Sequence, residues 1–174
     1  MITILGIDAA TVKTGYALIG IEGKKIKLLG FGTVTLKGAL HERYNKLRYK
    51  VIELVQTYEP DHVCVEDLKF SKFAPNFSSL GKVAAAIGNV QAAFAECKYG
   101  KVYSIPANQV RAIWDVKQGK GASRKANLRN AINKKFLSQL QDKGRPDGFQ
   151  KADEDATDAL GLAVAVWLHE IQYE

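Results

Sequence analysis

The 174-residue chain has few cysteines, few histidines and a shortage of acid, and each scarcity removes a class of function. Its two cysteines, Cys64 inside an apolar strand-like run and Cys97 at the end of a helix-like one, lack metal-type spacing and read as buried free thiols. The three histidines, His41, His62 and His169, are scattered, so no His or Cys set offers itself to a softer metal. No apolar run approaches the length of a membrane span, and MITILGID lacks the charged start and cleavage site of a signal peptide. The expectation is a cytoplasmic protein with no membrane association. Repeats and low-complexity segments are also missing, and the length suits one domain, 1–174, with a sizeable core.

The shortage of acid is uneven. Eighteen Asp and Glu against 25 Lys and Arg leave a formal charge of +7 and point to a polyanionic partner. From Arg111 to Lys151 there are eleven Lys or Arg and three acids, whereas Ala152 to the end holds six acids and no Lys or Arg. A basic stretch alone is most simply a solvated helix face. Running straight into an acidic helix, it can instead hold a phosphate backbone where acids hold metal.

Three β-rich runs, Thr3–Asp8, Gly15–Ile21 and Ile26–Thr35, are joined by short turns and predict an antiparallel meander. An amphipathic helix follows, with Tyr44, Leu47, Val51, Leu54, Val55 and Tyr58 on one stripe, and Pro60 stops it. His62–Glu66 reads as a fourth strand and Lys101–Ile105 as a fifth, separated by a helix over Ser79–Cys97 rich in small residues. A short helix from Pro106 to Trp114 and longer ones over Ser123–Leu140 and Asp153–Ile171 complete the chain. The order predicts an α/β fold, a mixed five-stranded sheet flanked by helices. Lys117–Ala122 and Asp142–Gln150, both Gly-rich and charged, read as surface loops.

Within this order, four carboxylates fall where elements end or begin: Asp8 and Glu66 at strand ends, Asp155 and Asp158 on one face at the start of the last helix. The helix dipole favours acids at such a position without any function, which accounts for Asp153, Glu154 and Asp155 better than for Asp158 or the strand acids. If the four converge, each like-charged pair about 4 Å apart repels by about 4 kcal/mol at an effective dielectric of about 20. A domain stable by only about 5–15 kcal/mol then needs protons or divalent cations there.

The segments LGIDAATVKTGYALIG, VCVED and DATDALGLAVA together resemble the three acidic motifs of RuvC-type Holliday junction resolvases, in the ribonuclease H-like superfamily. The resemblance covers nearly the whole chain in the right order. It implies a metal-dependent, structure-selective endonuclease that binds four-way and other branched DNA as a homodimer and resolves it by paired symmetric nicks. It also implies that Asp8, Glu66, Asp155 and Asp158 are catalytic metal ligands for two Mg²⁺ ions, with Mn²⁺ as a substitute. Hard oxygen donors suit such ions, and two-metal hydrolysis leaves a 5′-phosphate and a 3′-hydroxyl.

The family further carries cations after its fifth strand. In this chain Arg111 of IPANQVR stands where a Lys is usual, and Lys125 of GASRKANL matches the second cation, a candidate to contact the scissile phosphate or orient water. After Glu66, DLKFSKFAPNFSS interleaves Lys69 and Lys72 with Phe70, Phe73 and Phe77, which suits stacking on bases beside phosphate contacts. Phe77 is better read as closing the core, so Phe70 and Phe73 share the stacking role. Lys117, Lys120, Arg124 and Lys125 are the remaining candidates for DNA contact.

Departures from the family lie at Ala9-Ala10, where Pro-Gly is common, at the basic KQGKG, and in a longer 142–151 stretch. They are the marks of a divergent, viral or phage branch, and they bear on junction preference rather than on the ligands. Alternatives are a ribonuclease H-like nuclease of RNA or RNA–DNA hybrids, a branched nucleic-acid-binding protein without catalysis and, least in keeping with the length, an actin-like nucleotide-binding domain. Nothing in the sequence indicates a helicase partner.

Overall fold

The computed structural model describes residues 1–68, 77–97, 100–116, 122–145, 147–150 and 153–171, with the backbone alone for 77 and 122–125. Three strands, β1 (Ile2–Asp8), β2 (Lys13–Glu22) and β3 (Lys25–Thr35), form the expected meander, Gly23 taking the positive φ of 58° that its tight turn demands. Helix α1 (Leu40–Tyr58) is followed by Glu59 in the left-handed region, its N–H returning to the Val55 carbonyl at 2.8 Å, and then by Pro60, so the helix cannot continue. The remaining elements are β4 (His62–Asp67), α2 (Phe77–Cys97), β5 (Lys101–Pro106), α3 (Ala107–Ile113), α4 (Ala122–Asp142) and α5 (Glu154–Val166).

The strand order is β3-β2-β1-β4-β5; β4 lies parallel to both β1 and β5, while β2 runs antiparallel to its neighbours. The sheet is therefore mixed and five-stranded, as the element order predicts.

Strand alternation assigns the two faces. Leu5, Ile7, Leu18, Val63 and Val65 face one way and pack against Leu47, Val51, Leu54 and Val55 of α1 and Ala86, Ile87, Val90, Ala93 and Phe94 of α2. Ile4, Ala17, Ile19, Cys64 and Ile105 face the other way, against α4 and α5. Helix α5 is buried along its length from Ala159 to Val166, as its near-continuous apolar sequence requires.

Glycine lets α5 sit down on the strands. A Cβ at Gly6 would lie 2.4 Å from the Ala159 carbonyl oxygen, and one at Gly15 only 2.0 Å from the Asp155 carbonyl group. On the other side of α5, the Trp114 indole N–H donates to the Gly161 carbonyl at 2.9 Å, and Ile132 of α4 fills the space a Gly161 side chain would take.

The last helix differs from the sequence reading. Regular winding stops at Val166 and a π-helical turn carries Trp167–Ile171, which keeps Ile171 in the core while Trp167 is only half-buried. Among the described residues no helix is long and apolar enough to cross a membrane.

Candidate active site

Alternation along the strands aims the first two acids. Asp8 follows Ile4 and Gly6 on the α5 face of β1, and Glu66 follows Cys64 on the same face of β4. Because Ile7 pairs with Val65 in the parallel ladder, the next residues on each strand, Asp8 and Glu66, end side by side at one sheet edge. Asp158, in the second turn of α5, reaches the same place from above. Asp8, Glu66 and Asp158 line one cavity, together with Arg111 and the apolar Ala107, Val110, Leu128 and Leu162.

Arg111 comes from the last turn of α3, which begins where β5 ends, so the strand that pairs with β4 delivers a cation beside Glu66. A second, more open pocket is lined by Glu66, Asp67, Asn108 and Arg111. The expected Lys-to-Arg replacement is thus at the site, as a guanidinium rather than an ammonium.

Asp155 occupies a different position from Asp158. Its backbone rests on Gly15, the residue paired with Asp8 across β1 and β2, but its carboxylate forms an ion pair with Lys13 at 3.4 Å and does not line the cavity of Asp8, Glu66 and Asp158. Two acids three residues apart on α5 therefore meet cations from different elements, β2 and α4. Asp158 meets Arg129 of α4: Nε donates to Oδ1 at 3.0 Å and Nη2 to Oδ2 at 2.7 Å, while Nη1 lies 2.7 Å from Glu154 Oε2. Burial works against the charged guanidinium, but the hydrogen bond and charge of Asp158, followed by those of Glu154, outweigh it and raise the Arg129 pKa above its ordinary value.

Sequence reasoning missed Arg129 and Lys13. The signal for Arg129 was present, since it stands four residues after Lys125 and so shares its side of α4. For Lys13 there was none, because only the β2–α5 contact brings it to Asp155. Of the other candidates, Arg124 and Lys125 lie on the first turn of α4, one turn before Leu128 of the cavity wall, and their side chains are outside the described residues. Lys69, Phe70, Lys72, Phe73, Lys117 and Lys120 lie outside the described residues altogether.

Among the described residues no three His, Cys, Asp or Glu side chains are gathered closely enough to hold a metal ion as they are oriented here. The donor chemistry still suits a hard divalent cation: three carboxylates face one cavity, with no imidazole or thiol among its lining residues.

The family model for crossover junction endodeoxyribonuclease RuvC matches residues 4–166. Among curated proteins, crossover junction endodeoxyribonuclease RuvC of Citrifermentans bemidjiense is 31% identical over 166 residues, covering 92% of this chain and 89% of that protein. Its namesake from Alkaliphilus metalliredigens is 29% identical over 163 residues, with 92% and 90% covered. Among solved structures, T. thermophilus RuvC in complex with Holliday junction substrate superposes with a TM-score of 0.71 at 21% identity, covering 94% of this chain and 92% of that one. The fowlpox virus Holliday junction resolvase gives a TM-score of 0.63 at 14% identity over 96% and 98%. The fold is thus shared with ribonuclease H-like resolvases, as the motif order predicts.

Proposed function

The chain belongs to the RuvC family of crossover junction endodeoxyribonucleases, and from that premise we propose that it resolves four-way DNA junctions by paired symmetric nicks, a step of recombination and repair. The observation that carries this reading is the meeting of Asp8, Glu66 and Asp158, from β1, β4 and α5, around one cavity with Arg111 beside them. Acids there hold cations; the arginine holds phosphate.

Asp8, Glu66 and Asp158 would hold a divalent ion, Mg²⁺ or Mn²⁺, and Asp155 would join them by turning from Lys13. Two ions per site match the family and the size of the acidic set. When bound, such ions lower the pKa of an attacking water and neutralise charge on the departing 3′ oxygen, leaving a 5′-phosphate and a 3′-hydroxyl. The chain's own part is positional. Asp8 and Glu66 stand on paired strands, and Arg111 offers a planar fork to a phosphate oxygen. Lys125 is proposed as the assisting cation, and Lys69, Phe70, Lys72, Phe73, Lys117, Lys120 and Arg124 are proposed to hold the DNA arms.

Cutting two opposed strands symmetrically calls for two copies related by a two-fold axis. Helix α2 supports this homodimer reading. Its buried side faces the sheet and α1, while Gly81, Gly88 and Ala92 form an exposed stripe, and among the described residues nothing lies within 4 Å of a Cβ built on either glycine. A second copy can approach closely there.

The test is to incubate the protein with a four-way junction, linear duplex, single strand and RNA–DNA hybrid of matched sequence, with and without Mg²⁺, beside Asp8→Asn. Paired nicks in the junction alone, only with metal, and junction binding without cleavage by Asp8→Asn are expected. Equal cutting of linear duplex, preferred cutting of the hybrid, or full activity of the variant overturns the mechanism. Sedimentation of a monomer alone at assay concentration overturns the dimer.

A further inference from the structure

Asp8, Glu66 and Asp158 line one cavity and yet form no ready metal cage among the described residues, and Arg129 holds one of the three. Its guanidinium commits all three nitrogens to α5. Nε and Nη2 grip the two Asp158 oxygens at 3.0 and 2.7 Å, and Nη1 reaches Glu154 Oε2 at 2.7 Å. The group is well shielded, with the side chains of Arg129 and Asp158 only 19% and 13% exposed, so water screens the pair weakly. Fork-on-carboxylate geometry uses both oxygens at once, and a carboxylate so held cannot turn freely toward an ion on its other side.

Arg129 also lies between two spaces. Asp158 faces the cavity it shares with Asp8 and Glu66, whereas Arg129 and Glu154 line a neighbouring, more open pocket with Asn130, Asn133 and Gln150. The guanidinium therefore has room on the side away from Asp158.

We propose that Arg129 is a positioning residue that serves as the built-in counter-cation of Asp158 and competes with the divalent ion for it. The inference rests on the metal reading given under the proposed function. In the metal-free chain Arg129 supplies the positive charge that Asp158 requires. An incoming ion must share or displace that grip, so the chain on its own binds metal weakly. Glu154, held by the same guanidinium on the exposed side, gives Arg129 a second anchor to keep when Asp158 turns away.

The test is titration calorimetry of Mn²⁺ into the DNA-free protein, for wild type, Arg129→Gln, Arg129→Lys, Asp158→Asn, the Arg129→Gln/Asp158→Asn double variant and Asp8→Asn. Removing the guanidinium frees a charge-assisted, two-point hydrogen bond, so Arg129→Gln is expected to bind Mn²⁺ on the order of tenfold more tightly. Arg129→Lys, which keeps charge without the fork, falls between the two. The gain vanishes in the double variant, a dependence that loss of packing alone cannot produce. In parallel, saturating Mn²⁺ raises the melting temperature of Arg129→Gln more than that of wild type, which also establishes that the variant is folded.

Equal or weaker Mn²⁺ binding by Arg129→Gln overturns the proposal, as does a gain that persists in the double variant. The underlying metal reading fails separately, and the proposal with it, if Asp8→Asn binds Mn²⁺ as well as wild type does. If Asp8→Asn loses binding while Arg129→Gln gains none, the metal site stands and the competition alone is refuted.

Discussion

Substituting Gly15 by alanine is expected to damage the protein out of proportion to one methyl group. The added Cβ would lie 2.0 Å from both the carbonyl carbon and oxygen of Asp155 and 2.5 Å from the Ala156 nitrogen. All three are backbone atoms, so no side chain can swing aside. The start of α5 must retreat from β2 by about 1 Å in a close-packed interior. Overpacking of this kind costs about 1–3 kcal/mol, and a purely backbone clash belongs at the upper end. For a chain of this size about 2–3 kcal/mol corresponds to a loss of roughly 4–12 °C in melting temperature. Catalysis is expected to suffer more, because the displaced turn carries Asp155 and leads into Asp158, and a 1 Å misplacement can cost about 10²-fold in rate. Thermal unfolding and junction cleavage measured side by side give both numbers. Gly30→Ala is the control, since its Cβ meets only the Tyr58 ring end at 3.5 and 3.8 Å, ordinary van der Waals contact. A Gly15→Ala protein with unchanged melting temperature and unchanged cleavage would refute the close seat of α5 on β2.

Two further outcomes are expected away from the site. Asp61 accepts hydrogen bonds from the Thr3 backbone N–H at 2.7 Å and from the Thr3 hydroxyl at 2.8 Å, and the first of these is the main reason its carboxyl is held below the usual carboxylate range. A lowered folded pKa contributes stability that is complete above the unfolded value and lost as pH falls through the folded one, so Asp61→Asn should melt earlier at pH 7 and converge with wild type below about pH 4. Equal melting temperatures at pH 7 refute this. Burial pushes the fully enclosed Cys64 thiol well above its ordinary pKa, whereas Cys97 is half-buried and raised less. A thiol reagent at pH 8 should therefore modify at most Cys97 in the native protein and both after unfolding; rapid native labelling of Cys64 contradicts its placement.

The fold was legible because period-2 and period-3.6 patterns are local. Asp8 and Glu66 could be placed side by side from sequence because each ends a strand, and strands in parallel register align their ends; the pairing of Ile7 with Val65 is that expectation realised. The limits were equally physical. The winding change at Trp167 leaves the apolar stripe intact and so writes no signal in the pattern. Gly6 and Gly15 look like interruptions in β-rich runs, and their use as seats for α5 emerges only when strand and helix are brought together.

The acids show the same division more sharply. A three-residue spacing correctly puts Asp155 and Asp158 on one side of α5, but it cannot say which cations the neighbouring elements bring. In the folded chain Lys13 of β2 takes Asp155 and Arg129 of α4 takes Asp158. Each of these two acids thus has a cation beside it, which eases the repulsion anticipated for converging carboxylates, about 4 kcal/mol for each pair at 4 Å and an effective dielectric of about 20. Each pair is formed across an interface of α5, with the sheet or with α4, so the contacts that assemble the core also set the charge state of the site. The basic stretch of the sequence consequently has two tasks rather than one. Arg111 of α3 lies beside Glu66, while Arg129 of α4 turns to Asp158, so two cations of one basic stretch reach the acids from different helices.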